Sequence, residues 1–160
     1  VDKLPVNYLY APLIAAALPN AKIIHVRRGP MDSCFASYKQ FFAEAYFHSY
    51  DQEEMARHHL RYLDLMEHYN ILLGERMYEI SYENVVANFE PEARRLINFL
   101  GLDWQEASLE FHKQKGAVTT ASAAQVREKT HSRSVERWRH FEKELAPMKN
   151  IFLDAGIINL

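Results

Sequence analysis

Residues 21–40 read AKIIHVRRGPMDSCFASYKQ, and this stretch decides the fold of the chain. Residues 22–26 are a compact apolar run with β-branched side chains, which predicts a short buried strand. Gly29 permits a sharp turn, and Pro30 suits the first position of a helix because the N–H group that proline lacks has no partner there. We therefore expect a strand, a tight turn and then a helix over residues 30–45.

The turn between this strand and this helix carries two fixed positive charges, Arg27 and Arg28. They stand next to the free N–H groups of a helix start, a combination that favours binding of a phosphate or a sulfate. The alternative is structural: Arg28 pairs with Asp32 in the first turn of the helix, and Pro30 only begins the helix. This stretch alone leaves both interpretations open.

The composition is that of an ordinary globular protein. A chain of 160 residues fits one domain over residues 1–160, large enough for a hydrophobic core but small for a complete nucleotide-dependent enzyme. Its formal net charge of −2 gives no general attraction to nucleic acid or to a membrane, and no apolar run is long enough to span a bilayer. The one cysteine, Cys34, excludes an internal disulfide and fits a reducing compartment, so we expect a cytoplasmic protein with Cys34 buried.

The other elements are predicted from apolar periodicity and from capping residues. Asp51 is a typical N-cap, and Gly74 is a typical end, for one long helix. Residues 6–18 should be helical, with Pro12 making their first half irregular. The remaining predicted elements are a strand over 77–81, a helix over 90–100, a short helical segment over 104–111, and a helix capped by Ser134 with Pro147 after it.

Residues 116–132 lack apolar periodicity and predict a long loop, a feature that is more often functional or disordered than idle. A locally basic run overlaps its end and continues into the helix expected after Ser134. A solvent-facing helix surface and an anion clamp both account for such a run. Its basic residues are Arg127, Lys129, Arg133, Arg137 and Arg139, against Glu128 and Glu136.

The order helix–strand–helix–helix–strand–helix is typical of an α/β domain with parallel strands. Two strands make a poor sheet. Val1 is not a natural initiator, and residues 2–5 look like the inside of a domain. We therefore expect a further strand before Val1.

Several motifs occur in a specific order: DKLP at 2–5, IIHVRRGPMD at 23–32, Tyr82-Glu83 after a strand, NFLGL at 98–102, SAAQV at 122–126 and SVERW at 134–138. Together they resemble the sulfotransferases that use 3′-phosphoadenosine 5′-phosphosulfate (PAPS). The bacterial branch often fused to tetratricopeptide repeats is the nearest match, with the protein-tyrosine sulfotransferases as relatives. The resemblance implies a P-loop-NTPase-like three-layer α/β fold with a short parallel sheet. The N-terminal strand and phosphosulfate-binding loop of that fold would precede Val1.

The resemblance also implies nucleotide-binding roles. Arg28 matches the arginine that grips the 3′-phosphate, for which a planar, permanently charged guanidinium is well suited. In the family a serine eight residues later shares that phosphate, but here the position is Ala36. Ser37 comes one residue later and points about 100° away around the helix, so it is no equivalent, while Ser33 lies one turn nearer the helix start and offers compensation.

Three further residues match positions that contact the nucleotide. Tyr82 matches the tyrosine that lies against the adenine, with a core tyrosine as the alternative. Arg137 matches the basic residue that reaches the 3′-phosphate from the C-terminal segment, and Arg127 belongs to the loop that folds over the nucleotide. Trp138, next to Arg137, is expected in the core.

Two residues match catalytic positions. Lys3 matches the lysine that, in the tyrosine-directed relatives, faces the bridging oxygen and the sulfonate, and Ser122 matches a serine assigned to the same transition state. A cation and a hydroxyl can stabilise negative charge that develops during transfer. The alternative for Lys3 is a solvated side chain near a frayed terminus.

No general base can be nominated among these residues, since the family's base would belong to the region before Val1, and no metal site is found in the sequence. His25 lies within the predicted strand and should be structural. His58 and His59 cannot both face one metal ion, because consecutive residues of a helix diverge.

The resemblance implies a PAPS-dependent sulfotransferase that moves a sulfuryl group to a hydroxyl or an amine acceptor. Its implied partners are the nucleotide co-substrate and that acceptor, with upstream tetratricopeptide repeats as a further expectation; nucleic acid and membranes are not expected partners. Two other functions stay open. One is a non-catalytic module that binds 3′-phosphonucleotides, which Ala36 favours, and the other is a scaffold domain whose basic segment binds an acidic partner.

Overall fold

Helices and strands alternate along the chain. The structure is a computed structural model and describes residues 1–42, 45–113 and 131–159. The regular elements are α1 (Ala11–Ala17), β1 (Ile23–Arg27), α2 (Pro30–Tyr38), α3 (Gln52–Leu73), β2 (Met77–Ser81), α4 (Tyr82–Ala87), α5 (Phe89–Leu100) and α6 (Ala146–Asp154). Short 3₁₀-helical segments lie at Pro5–Tyr10, Phe47–Tyr50, Gly74–Arg76, Glu106–Lys113 and Arg137–Phe141.

Strands β1 and β2 pair in parallel, with Arg27 opposite Ser81 at their carboxyl ends. The next residues along the two strands are Arg28 and Tyr82. Because the strands run in the same direction and in register, these two residues leave the sheet side by side. The predicted α/β class with a short parallel sheet is confirmed.

The hydrophobic core lies between α2, α3, α6 and the segment Arg137–Phe141. Cys34 is fully buried in it, and burial raises the pKa of the thiol, so this cysteine acts as a small packing residue. The burial predicted for Trp138 is confirmed as well. The core residues are Met31, Cys34, Phe35, Met55, Ala56, Trp138, Leu145, Met148 and Phe152. This core therefore fixes the C-terminal segment against the start of α2.

The predicted boundaries of the long helix are confirmed. The side chain of Asp51 accepts hydrogen bonds from the backbone N–H groups of Glu53 and Glu54, each at 2.9 Å, as an N-cap residue does. Gly74 follows the last residue of α3 with a φ of 51°, a left-handed conformation that favours glycine. Pro12 lies in the first turn of α1, and the residues before it are 3₁₀-helical, as the irregular first half predicted.

Helix α2 is shorter than predicted, because it ends at Tyr38 and not near residue 45. Its end is tightened by a hydrogen bond of 3.0 Å from the Gln40 N–H to the Ser37 carbonyl. Tyr46 then takes a left-handed φ of 56°, which a right-handed helix cannot include.

The predicted helix capped by Ser134 is wrong. Glu136 has a φ of 55°, so the chain enters only the 3₁₀ segment Arg137–Phe141. Pro147, expected to follow a helix, lies instead in the first turn of α6, where a missing N–H costs nothing. Most of the predicted loop 116–132 lies outside the described residues. No helix among the described residues is long and apolar enough to cross a membrane.

Candidate functional site

Arg28 and Tyr82 meet at the carboxyl edge of the sheet. The guanidinium carbon of Arg28 lies 5.0 Å from the centroid of the Tyr82 ring, a cation–π contact. Nη2 of Arg28 donates a hydrogen bond of 2.5 Å to the backbone carbonyl of Ser134. Nε is buried and has no hydrogen-bond partner among the described residues. Arg28 is thus held at the junction of three segments with donor capacity to spare.

Glu83 joins the turns that follow the two strands. Its Oε1 accepts a hydrogen bond of 2.8 Å from the Gly29 N–H, and its Oε2 accepts one of 2.9 Å from the Ser81 hydroxyl. Burial by itself raises the pKa of this carboxyl. The hydrogen bonds and the charge of Arg28 together lower the pKa by more than burial raises it, so the pKa lies below its usual range. A Cβ at position 29 would stand 3.4 Å from Oε1, an ordinary van der Waals contact, so this hydrogen bond does not itself require glycine.

Asp32 binds the C-terminal segment and not Arg28. This buried carboxylate accepts hydrogen bonds from the Glu136 N–H at 2.5 Å and from the Trp138 N–H at 3.3 Å. The left-handed conformation of Glu136 lets both N–H groups reach one carboxylate. The structural alternative for Arg28, an ion pair with Asp32, is not found among the described residues.

Arg137 lies between the two residues whose N–H groups bind Asp32, and its side chain is exposed. Its neighbour Arg139 pairs with Glu136 at 2.9 Å and lies over the Trp138 ring, at 4.9 Å from its centroid. No ion pair of Arg137 is found within the described part of the chain. Within the basic run, Arg139 therefore belongs to a surface ion pair, while Arg137 lies between the two backbone N–H groups that bind Asp32.

A lysine that the sequence did not single out is affected by the charges of both arginines. Lys39 follows the last residue of α2, and its Nζ lies 5.2 Å from the centroid of the Phe35 ring. Burial lowers the pKa of its ammonium group below the usual range, and the charges of Arg137 and Arg28 lower it further, while Asp32 acts in the opposite direction. Arg28, Lys39 and Arg137 thus lie within electrostatic reach of one another.

An open cavity of about 800 Å³ brings together four of the residues predicted from the sequence, Lys3, Arg28, Ser33 and Ser37. The two serines are half-buried and four residues apart, so they share one face of α2. Lys3 is exposed. Tyr82 and Arg137 do not line this cavity. Tyr82 is linked to it by its contact with Arg28, and Arg137 by the C-terminal segment, whose Ser134 carbonyl binds Arg28.

Histidines and tyrosines form another part of the cavity wall. The rings of His48 and His58 stack with centroids 3.7 Å apart, and Nε2 of His58 lies 3.4 Å from the Tyr8 hydroxyl. Burial lowers the pKa of both imidazoles, which keeps them neutral at pH 7. A neutral imidazole can accept a proton. The sequence could not predict this role of His58, because its stacking partner His48 lies outside its helix.

His25 has the structural role that the sequence predicts. It is buried in β1, where Nδ1 lies 3.2 Å from a carboxylate oxygen of Glu79 and Nε2 contacts the Tyr62 hydroxyl. Ser122 and Arg127, the other predicted site residues, lie outside the described residues. Within residues 1–42, 45–113 and 131–159, no group of three or more His, Cys, Asp or Glu side chains could hold a metal ion.

The family model described as the sulfotransferase family matches residues 1–106, which contain the whole described sheet, Arg28 and Tyr82. The chain belongs to the sulfotransferase family. It is also 36% identical over 158 residues to a protein of Aquifex aeolicus (strain VF5) described as an uncharacterized protein. That alignment covers 97% of this sulfotransferase-family chain but only 21% of the relative, so the chain spans about a fifth of the relative's length. Membership supports sulfuryl transfer as the reaction class, while the tetratricopeptide-linked branch stays a prediction.

Proposed function

We propose that this chain forms the nucleotide-binding part of a sulfotransferase that moves a sulfuryl group from PAPS to a hydroxyl or an amine. The observation that carries the proposal is the contact of Arg28 with Tyr82 at the carboxyl ends of two parallel strands. Ligands of open α/β sheets bind at that edge. A buried, unpartnered Nε on Arg28 is a donor that an anionic ligand would satisfy.

Arg28 and Arg137 are assigned to the 3′-phosphate. A doubly charged phosphate offers several acceptor oxygens, and guanidinium groups bind such oxygens with paired donors. Asp32 supports the assignment indirectly, because its hydrogen bonds to Glu136 and Trp138 hold Arg137 against α2. Tyr82 is assigned to the adenine, which would contact the ring face that Arg28 leaves open. Ser33 and Ser37 are assigned as hydroxyl donors from α2.

Lys3, Ser122 and Arg127 complete the proposed machinery. Lys3 lines the same cavity as Arg28, so its charge is available to the bridging oxygen of the phosphosulfate. In the reaction, the bond from sulfur to that bridging oxygen breaks and a bond from sulfur to the acceptor atom forms. The acceptor's proton passes to solvent, and adenosine 3′,5′-bisphosphate leaves. Ser122 and Arg127 are assigned from the family resemblance alone, as donors to the transferred group and to the nucleotide.

A non-catalytic module that binds 3′-phosphonucleotides is the second candidate function. Ala36, at the position of the family's serine, is the observation that favours it. Further expectations are a cytoplasmic location, no nucleic-acid partner and upstream tetratricopeptide repeats.

Calorimetric titration of the full-length protein with adenosine 3′,5′-bisphosphate tests the proposed site. Binding that is lost in Arg28→Ala and kept in Arg57→Ala, a change in the surface pair with Glu53, supports it. Absence of binding to the unmodified protein refutes both nucleotide-based functions and leaves the scaffold. Labelled PAPS then separates the two: transfer of sulfate to hydroxyl or amine acceptors identifies the enzyme, while binding without transfer identifies the module.

A further inference from the structure

One face of α3 forms a wall of the open cavity. Its members recur at helical spacings of three and four residues, so their side chains share that face. Nε2 of His58 lies 3.4 Å from the Tyr8 hydroxyl, and the Tyr8 ring meets the ring of Tyr62 edge to face, with centroids 5.2 Å apart. The wall thus joins α3 to the segment Pro5–Tyr10. The residues of α3 that line the cavity are Met55, His58, His59, Tyr62 and Met66.

This wall lies close in the chain to the proposed sulfuryl-transfer position. Lys3, which is assigned to the bridging oxygen, lines the same cavity as Tyr8 and precedes it by five residues. Five residues of extended chain span at most about 18 Å, and the 3₁₀ conformation of Pro5–Tyr10 shortens that distance. A small acceptor held against Tyr8 and His58 is therefore within reach of the group that Lys3 faces.

The imidazoles of this wall are neutral. The rings of His48 and His58 stack with centroids 3.7 Å apart and an angle of 14° between their planes. Two imidazolium ions would repel each other strongly at that distance, so the stack favours neutral rings. Burial lowers the pKa of both imidazoles, the charge of Arg61 acts in the same direction, and Glu54 opposes it only at His48. The polar groups offered here are thus uncharged nitrogens and hydroxyls.

The lining of the cavity carries more positive than negative charge. Among the described residues, Asp2 is the only carboxylate that lines it, and Oδ2 of Asp2 accepts a hydrogen bond of 2.7 Å from the Asn7 side chain. Three fixed cations line the same cavity: Lys3, Lys22 and Arg28. A positively charged acceptor would therefore be repelled here.

The carboxylates next to the cavity lie outside its lining and are engaged elsewhere. Glu83, beside Arg28, accepts two hydrogen bonds from the turns that follow the strands. Glu79 lies 3.2 Å from Nδ1 of His25 and 3.3 Å from a guanidinium nitrogen of Arg27. Asp32 binds the backbone of the C-terminal segment. These three acids leave the excess of positive charge in the lining unchanged.

We propose that Tyr8, His48 and His58 form the acceptor-binding part of the cavity and select an uncharged hydroxyl compound over an amine. A hydroxyl can donate to an imidazole nitrogen and accept from a phenol at the same time. An aliphatic amine arrives at neutral pH as an ammonium ion, which only donates and carries the charge that the lining repels.

This inference rests on the proposed function and narrows its acceptor class. As the bond from sulfur to the bridging oxygen breaks, its electron pair leaves with the nucleotide. The acceptor oxygen forms the new bond to sulfur, and its proton passes to solvent. Tyr8 and His58 orient that oxygen, so they act on specificity.

The test compares benzyl alcohol with benzylamine as acceptors for the full-length protein with PAPS at pH 7. A ring-bearing probe suits the apolar residues around the cluster, which include Ile14, Met55 and Met66. The KM for benzyl alcohol should be lower by about tenfold or more, the scale of one unfavourable charge contact. Where one compound is not sulfated, its inhibition constant against the other takes the place of its KM.

A charge substitution tests the residues themselves. His58→Glu places a carboxylate in the cluster, so it should lower the KM for benzylamine about tenfold and raise that for benzyl alcohol, a reversal that a loss of structure does not produce. His48→Glu should act in the same direction and gives a second route to the result. His68→Glu is the matched control, because it makes the same change on an exposed side of α3 and should leave both values unchanged. The affinity for adenosine 3′,5′-bisphosphate, which should not change, shows that each variant is folded.

Three results would overturn the inference and leave the nucleotide site intact. One is a KM for benzylamine equal to or below that for benzyl alcohol in the unmodified protein. Another is an unchanged preference in both His58→Glu and His48→Glu. The third is a protein that binds the bisphosphate but sulfates neither compound. Absence of bisphosphate binding to the unmodified protein would instead refute the proposed function.

Discussion

The carboxylate of Asp32 holds the backbone of Glu136, with 2.5 Å between Oδ2 and the amide nitrogen. This contact joins the first turn of α2 to a segment more than a hundred residues later in the chain. It fixes the place of Arg137, and with it the second cation of the proposed site. The geometry of the site therefore depends on a buried acid that need not touch the ligand.

Replacing Asp32 should reduce stability and nucleotide affinity together. Asp32→Ala leaves two backbone N–H groups without their acceptor, at a cost of about 1–3 kcal/mol in the free energy of unfolding. Urea denaturation measures the cost, with Asp64→Ala on the exposed face of α3 as the control. If Asp32→Ala matched the unmodified protein in both stability and bisphosphate affinity, the anchoring role of Asp32 would be wrong.

The affinity for the bisphosphate should depend on the ring of Tyr82, which contacts Arg28, and not on its hydroxyl. Tyr82→Phe keeps the face on which Arg28 lies, so bisphosphate affinity should change less than threefold, because the ring quadrupole remains. Tyr82→Ala removes the ring, and we expect a loss of about tenfold, comparable to one cation–π contact plus one stacking contact. Calorimetry on both variants checks which of the two substitutions weakens bisphosphate binding more. A larger loss for Tyr82→Phe than for Tyr82→Ala would contradict it.

Acidification should destabilise the fold through His59. This histidine is 6% exposed, Nε2 has no hydrogen-bond partner among the described residues, and burial, with a smaller effect of His58, lowers its pKa to about 4. A folded-state pKa below the unfolded value gives a contribution that is complete above about pH 6.5 and is lost as the pH falls toward 4.

The loss assigned to His59 amounts to up to about 3 kcal/mol in the free energy of unfolding. Unfolding curves between pH 7 and 4 should be flatter for His59→Leu than for His68→Leu, whose side chain is exposed. Equal slopes for the two variants would assign the acid sensitivity to other groups, such as His25, whose pKa burial also lowers.

Local patterns were enough for much of the fold. The alternation of apolar runs and turns located both strands, and the cap at Asp51 located the start of α3. The predicted helix boundaries were wrong where the backbone conformation depended on packing between distant segments. Helix α2 ends at Tyr38, well before its predicted end, and the left-handed conformation of Glu136 prevents the helix predicted after Ser134.

In the candidate site, too, some features followed from local sequence and others only from the tertiary structure. The amino-acid sequence alone determined that Arg28 and Tyr82 each follow a strand, because strand patterns and turn residues act over a few neighbours. Only the tertiary structure decided that Asp32 binds the backbone near Arg137 and that the Arg28 guanidinium lies over the Tyr82 ring. Such contacts join residues far apart in the chain, and they depend on the core between α2, α6 and Trp138, which brings those segments together.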